Sequence, residues 1–184
     1  MNAFKYLKTL YLCHFSKPVA DRALYKLLRK QPVQSIVEVG VGRLERTKIL
    51  LDLALQKTPA EQLKYAGIDL FEARDAASPG VGLKQAHKEL KPLGIKAQLV
   101  PGDAFSALAR SANSLTKTDL LIISADMVGE SLTKAWFYVP RMLHDGSQVL
   151  IEEASADGTA FRQLTRLEIE QFASAAARSM RKAA

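Results

Sequence analysis

Cysteine is nearly absent from this 184-residue chain, which has Cys13 alone. An internal disulfide and a cysteine-based zinc site are thereby excluded, and a lone Cys on an apolar helical face reads as core packing. Long hydrophobic runs are missing too: none approaches the roughly 20 residues needed to cross a bilayer. Lys5 and Lys8 interrupt the apolar N-terminal stretch, and no small-residue cleavage site follows it, so a secretory signal is not expected and a cytoplasmic location is. No nucleic-acid motif or interleaving of aromatic with basic residues occurs. What remains is an ordinary globular composition, 48% apolar, of a length that suits one domain with a sizeable buried core.

The formal net charge of +7 is unevenly spread. Residues 1–33 carry seven Lys or Arg against Asp21 alone, residues 158–184 carry five against Glu168 and Glu170, and the stretch between is slightly acidic. Nucleic acid or an anionic surface could be drawn to such ends, but a solvated outer face is the favoured reading.

The most informative stretch is Gln34-Ser-Ile-Val-Glu-Val-Gly-Val-Gly-Arg-Leu-Glu-Arg46. An apolar strand runs into Gly40 and Gly42, and Glu45 then opens a helical repeat through Ile49, Leu50 and Leu53. Strand, glycine turn and helix start let a backbone approach a ligand and offer free N–H groups to it, although the same pattern also serves as a plain tight turn. Glu38 just before the turn disfavours a dinucleotide pyrophosphate and suits a cationic group.

Elsewhere the pattern alternates. Helices are expected over residues 2–14, from a Ser16 N-cap to Lys30, over 83–90, from an Asp103 N-cap over 104–112, and over 130–143. Further strands are expected at 63–68, 95–100, 119–124 and 147–152. Asp157-Gly158 is followed by Phe161, Leu164, Leu167, Phe172 and Met180, which read as one long helix. Five strands alternating with helices predict an α/β protein, a Rossmann-like doubly wound parallel sheet with N-terminal helices. Residues 1–33 would form a helical cap and 34–184 the single main domain. Asp69 falls at the carboxyl end of the second strand, Asp103 beyond the third, and Ser124 at the end of the fourth, where open sheets bind ligands. The alternative, less favoured, is that Asp69 caps the following turn.

Glu38-Val-Gly-Val-Gly, Asp69, Gly102-Asp103-Ala104, Asp119-Leu-Leu-Ile-Ile-Ser-Ala-Asp126 and Asp145-Gly146 together resemble the motif order of class I S-adenosylmethionine-dependent methyltransferases over residues 34–153. The resemblance implies that S-adenosylmethionine is the cofactor. Glu38, Gly40 and Gly42 would surround its methionine half and Asp69 would accept from its ribose. Asp103 and the Ala104 N–H would read its adenine, and Ser124 would line the site. A small-molecule acceptor is the implied partner, with a homodimer also compatible.

The chain departs from the family at several places. Leu44 stands where the third motif glycine belongs, so it must point into the core if the pocket is kept and fills the site if it is not. The layout is similar in particular to cation-dependent O-methyltransferases, but Ser124 and Met127 replace the first Asp and the Lys of their Asp-Ala-Asp-Lys motif. Glu152-Glu153 lies near their lost Asp-Asn pair. Asp126, Glu152 and Glu153 could still gather around a hard cation, but no metal is expected. The closing antiparallel hairpin of the family is not evident. His87 reads as a surface or packing residue and His144 as a helix-end cap, so no catalytic base is assigned. Two functions follow: a methyltransferase with a small acceptor, or a methyltransferase-like binding or scaffold protein that no longer catalyses. A nucleotide-binding protein of another kind is a third, disfavoured by Glu38.

Overall fold

The computed structural model describes residues 3–156 and 158–183, the side chain of the last excepted. Asp157 of the Asp157-Gly158 pair lies outside the described residues. Helices α1 (Ala3–His14) and α2 (Arg22–Lys30) precede β1 (Ser35–Val39). Then come α3 (Glu45–Ala54), β2 (Lys64–Asp69), α4 (Leu83–Leu90), β3 (Lys96–Pro101), α5 (Ala104–Ser111) and β4 (Thr118–Ile123). The chain continues with α6 (Glu130–Ala135), β5 (Leu143–Ser155), β6 (Gly158–Gln163) and α7 (Arg166–Ala183).

The strands form one sheet in the order β3-β2-β1-β4-β5-β6. All neighbours run parallel except β6, which is antiparallel to β5. Side chains of a strand alternate between faces, and here both faces are covered, so the central strands β1 and β4 are mostly apolar, with Glu38 the buried exception on β1. Ile36, Leu120 and Ile122 pack with Leu24, Leu28, Leu50 and Leu90 under α2, α3 and α4. Val37, Val39, Leu121 and Ile123 pack with Leu108, Leu132 and Ile169 from α5, α6 and α7. The first strand is central, and the chain reverses its direction of winding between β1 and β4. That switch point is where open sheets receive ligands. Among the described residues, no helix is long and apolar enough to cross a membrane.

Four local expectations are corrected. The closing strand is not wholly lost: residues 158–163 form β6, not the start of a helix. The spacing of Phe161, Leu164 and Leu167 imitates a helical repeat, but Phe161 packs on one core as a strand residue while Leu164 enters the other beyond the strand. Ser16 does not cap the second helix, because its hydroxyl donates to the Leu12 carbonyl at the end of α1, and α2 begins only at Arg22. The helix expected over 130–143 stops at Ala135 and a separate turn at Val139–Met142 holds Pro140, whose missing N–H and ring would break a continuous helix. The residues from Leu143 onward already belong to β5, so His144 is a strand residue and not a helix-end cap.

Candidate functional site

A cavity of about 510 Å³ opens at the carboxyl ends of β1, β4 and β5, lined by Gly40, Gly42, Arg46, Ser124, Asp126 and Glu152. Asp21 and Tyr25 at the start of α2, with Lys17 before it, form another wall. This volume lies within the range of ordinary small-molecule sites. The glycines beneath it are needed for different reasons. A Cβ on Gly40 would stand 2.6 Å from the Ser124 Cβ, and its φ of +97° is itself a glycine conformation. Gly42, with φ +60°, has open space where its Cβ would be, so the turn presents bare backbone there.

Arg46, in the first turn of α3, organises the floor. Its Nε donates to Glu38 Oε1 at 3.0 Å, and its Nη2 to the Gly40 carbonyl at 3.1 Å and to the Ser124 hydroxyl. Its Nη1 lies 3.3 Å from Glu152 Oε2 and 3.7 Å from Asp21 Oδ1. The guanidinium also lies over the Phe161 ring at 5.3 Å, a residue that β6 brings here as the register partner of Glu152. Glu38 has no exposed surface, and its second oxygen accepts from Thr47 at 2.7 Å and Tyr65 at 2.9 Å. It therefore supports the cavity through Arg46. Burial, reinforced by Glu38, pushes the Tyr65 hydroxyl far above its ordinary value, so it remains a donor. Burial also raises the Asp21 carboxyl, against the pull of Arg46.

A second arginine closes the neighbouring half. Arg74 Nε and Nη2 fork onto Asp69 at 2.5 and 2.6 Å, and Nη1 reaches Asp126 at 2.6 Å. Asp69 also accepts from the Gly42 N–H at 2.8 Å and the Phe71 N–H at 3.2 Å. Burial pushes this carboxyl up, but Arg74 and the two N–H groups outweigh it and hold the group below the usual carboxylate value. The loop carrying Arg74 is tied over the glycine turn by the Val81 N–H donating to the Gly42 carbonyl at 2.8 Å. A Cβ on Gly80 would come 2.6 Å from the Arg74 Cδ, so this side chain is enclosed.

Asp103 is the N-cap of α5, accepting from the Phe105 and Ser106 N–H groups at 3.0 and 3.1 Å. The Ser131 hydroxyl, followed by Ser106, holds its carboxyl at about 2. Ala104 is fully buried in the core. The structure thus brings Gly40, Gly42 and Ser124 to the cavity wall, puts Glu38 behind it, and leaves Asp69, Asp103 and Ala104 outside its lining.

Leu44 is also fully buried, packed in the core under α3, in a left-handed conformation with φ +66°. Burying a leucine contributes about 1.5–3 kcal/mol, enough to offset about 1–2 kcal/mol for a left-handed non-glycine residue. Its side chain therefore leaves the turn open. The three carboxylates considered for a cation do not converge: Asp126 pairs with Arg74, Glu152 with Arg46, and Glu153, on the opposite face of β5, with Arg162 at 3.0 Å. Among the described residues no group of three or more His, Cys, Asp or Glu could hold a metal ion. His144 lies 3.0 Å from Asp119, at the other end of the sheet, and His87 is exposed on α4. Arg46, Arg74 and Asp21 escaped motif reading because their partners are distant in sequence, and the motifs brought Glu152 forward only as one of three carboxylates around a cation.

No protein-family profile matches the chain, and no curated protein does. Solved structures do. A TehB-like SAM-dependent methyltransferase from Corynebacterium glutamicum superposes with a TM-score of 0.50 at 15% identity, over 93% of this chain and 79% of that one. The apo structure of CalS11, a TDP-rhamnose 3′-O-methyltransferase of calicheamicin biosynthesis, gives 0.54 at 18% identity over 84% and 65%. A putative protein-L-isoaspartate O-methyltransferase from Plasmodium falciparum, in complex with S-adenosyl-L-homocysteine, gives 0.52 at 15% over 82% and 66%. The chain has the class I methyltransferase fold, and it spans about two thirds of the length of the last two structures.

Proposed function

We propose that the cavity at the β1–β4 switch point binds S-adenosylmethionine and that the protein transfers its methyl group to a small acceptor. The observation that carries this reading is the 510 Å³ cavity over a glycine turn with open space where a Gly42 side chain would stand, in a class I methyltransferase fold. The cofactor supplies an already activated methyl group, so the protein's task is to hold and orient. Asp21, Glu38 and Glu152 gather around the Arg46 guanidinium, so the cavity wall at Asp21 and Glu152 carries a surplus of carboxyl groups to receive an ammonium or sulfonium. Lys17 and Arg43 on the wall suit a carboxylate. Residues 1–33 act as a helical cap supplying Lys17, Asp21 and Tyr25, and residues 34–184 form the body. On the adenosine side, Asp69 accepts a ligand only when Arg74 turns away. No metal takes part in this reading.

One observation favours the second reading, a methyltransferase-like scaffold: Asp69 is already satisfied by Arg74 and backbone N–H groups. Calorimetry of the purified protein with S-adenosylmethionine separates the two. The methyltransferase reading expects a Kd of tens of micromolar or somewhat weaker, about −6 kcal/mol, and a loss of about tenfold or more in Asp69→Ala, since a charged hydrogen bond contributes about 1.5–3 kcal/mol. No heat at millimolar cofactor would leave the scaffold. Unchanged affinity in Asp69→Ala would return that residue to a structural role.

A further inference from the structure

The face of α1 turned away from the domain is unusually apolar for an exposed surface. Phe4, Leu7 and Tyr11 recur at helical spacing and Phe15 follows one turn later, with relative exposures of 73, 64, 59 and 69%. They form one stripe along a helix of twelve residues, about 18 Å long, while Thr9, Leu12 and Cys13 face inward. Tyr11 and Phe15 stack at 6.3 Å, so the stripe is a continuous surface and not a scatter of single residues. Lys5, Lys8 and Lys17 are exposed on the same segment, and α1 contains no acidic residue. Lys8 pairs with Asp52 at 2.8 Å. Beside the stripe, an apolar cavity of about 210 Å³ between α1, α2 and α3 is walled by Tyr6, Leu10, Leu28 and Leu53, with Arg29 and Lys57 contributing cationic groups.

We propose that this face of α1 docks onto an anionic lipid bilayer. A helix with aromatic and leucine side chains on one stripe and lysines beside it lies in the headgroup plane, its apolar side chains entering the acyl boundary and its cations meeting anionic lipid. Charge selects this occupant over a second copy of the chain, because an isologous contact would set one strongly basic N-terminal segment, seven Lys or Arg against one Asp, against another. A nucleic acid would satisfy the lysines but leave Leu7 and Phe4 in water. The reading of the basic N-terminal end as only a solvated face leaves the aromatic stripe without a reason.

The test is co-sedimentation of the full chain with vesicles of phosphatidylcholine alone and of phosphatidylcholine with phosphatidylserine. Binding should be confined to the anionic vesicles and be weakened by salt. Leu7→Glu/Tyr11→Glu, whose side chains lie outside the core, should lose about tenfold or more of it with an unchanged far-UV spectrum and melting temperature. Lys5→Glu/Lys17→Glu should weaken it as well. Equal binding to both vesicle types, no binding to either, or full binding by the Leu7/Tyr11 variant would overturn the proposal. A concentration-dependent dimer, or retention on immobilised nucleic acid, that is abolished by the Leu7/Tyr11 variant while vesicle binding is absent would also overturn it and assign the stripe to that partner.

Discussion

Replacing Arg46 by methionine keeps the aliphatic stem and removes the guanidinium, which makes it a sharp perturbation of the cavity floor. Glu38 is fully buried and would keep its bonds from Thr47 and Tyr65, but it would lose the only cation that lies within salt-bridge distance among the described residues. Asp21 and Glu152 lose theirs at the same time. Removing one partner of a buried ion pair costs about 3–5 kcal/mol, because the other charge stays desolvated. The Phe161 contact goes too, adding a fraction of that. In a chain of this length each kcal/mol moves the melting temperature by about 2–4 °C, so Arg46→Met should melt roughly 6–20 °C below the parent at neutral pH. The assay is thermal unfolding by circular dichroism, repeated on Glu38→Gln and the double variant. Neutralising Glu38 in the Arg46→Met background removes the uncompensated charge, so the double variant should recover at least about 1 kcal/mol relative to additivity. A shift under about 2 °C, or strict additivity around the cycle, would refute the claim that Arg46 neutralises a buried carboxylate.

Arg74→Ala should tighten S-adenosylmethionine binding if Asp69 is a ribose acceptor held by an internal latch, and calorimetry showing weaker binding would remove that idea. The same variant has a pH signature in thermal melts. The folded Asp69 carboxyl lies below its ordinary value of 3.8, so its stabilisation is present above that value and drains as pH falls through the folded one. The melting gap between parent and Arg74→Ala should therefore be constant near neutrality and close on acidification below about pH 4. Leu44→Gly removes a buried side chain but relieves a left-handed leucine, so urea unfolding should show a net loss of about 1 kcal/mol, with cofactor affinity unchanged because the side chain lies in the core.

The parts of this protein legible in the sequence are those encoded by neighbours in the chain. Ile36, Val37 and Val39 running into Gly40 and Gly42 specify a buried strand and a turn with positive φ, and both are where they were expected. Asp103 announces α5 because an N-cap bonds N–H groups two and three residues on. The arginine networks were not legible, since Arg46 gathers residues 21, 38, 40, 124 and 152 through the packing of the whole sheet. β6 was hidden by a spacing of three that a strand and the connection after it share with a helix. Its pairing with β5, through register partners such as Glu152 and Phe161, is a long-range property that periodicity does not carry.

The two arginines give the halves of the site opposite electrostatic characters, and this leads to a preference between two forms of the cofactor. Around Arg46 three carboxyl groups share one guanidinium, so the half of the cavity bounded by Asp21 and Glu152 keeps an excess of negative charge for a cation even though Tyr25 donates to Asp21 and the Ala125 N–H and Thr159 hydroxyl donate to Glu152. Around Arg74 the balance is closer, with Asp69 bound twice and Asp126 once, and Asp69 further occupied by N–H groups. A ligand gains most where the protein is least satisfied with itself, because groups already paired must first be unpaired. Binding should therefore draw more on the positively charged end of S-adenosylmethionine than on its nucleoside. S-adenosylhomocysteine keeps the nucleoside and the amino group but lacks the sulfonium charge. An interaction between unit charges near a protein surface is worth a few kcal/mol at contact and falls with distance, so a partly screened gain of about 1 kcal/mol is a reasonable scale. Calorimetric titration at low salt should thus show S-adenosylmethionine binding several-fold tighter than S-adenosylhomocysteine, with the gap narrowing as salt is raised. Equal affinities for the two would show that the nucleoside half dominates, and that the surplus of carboxyl groups around Arg46 serves the fold and not the ligand.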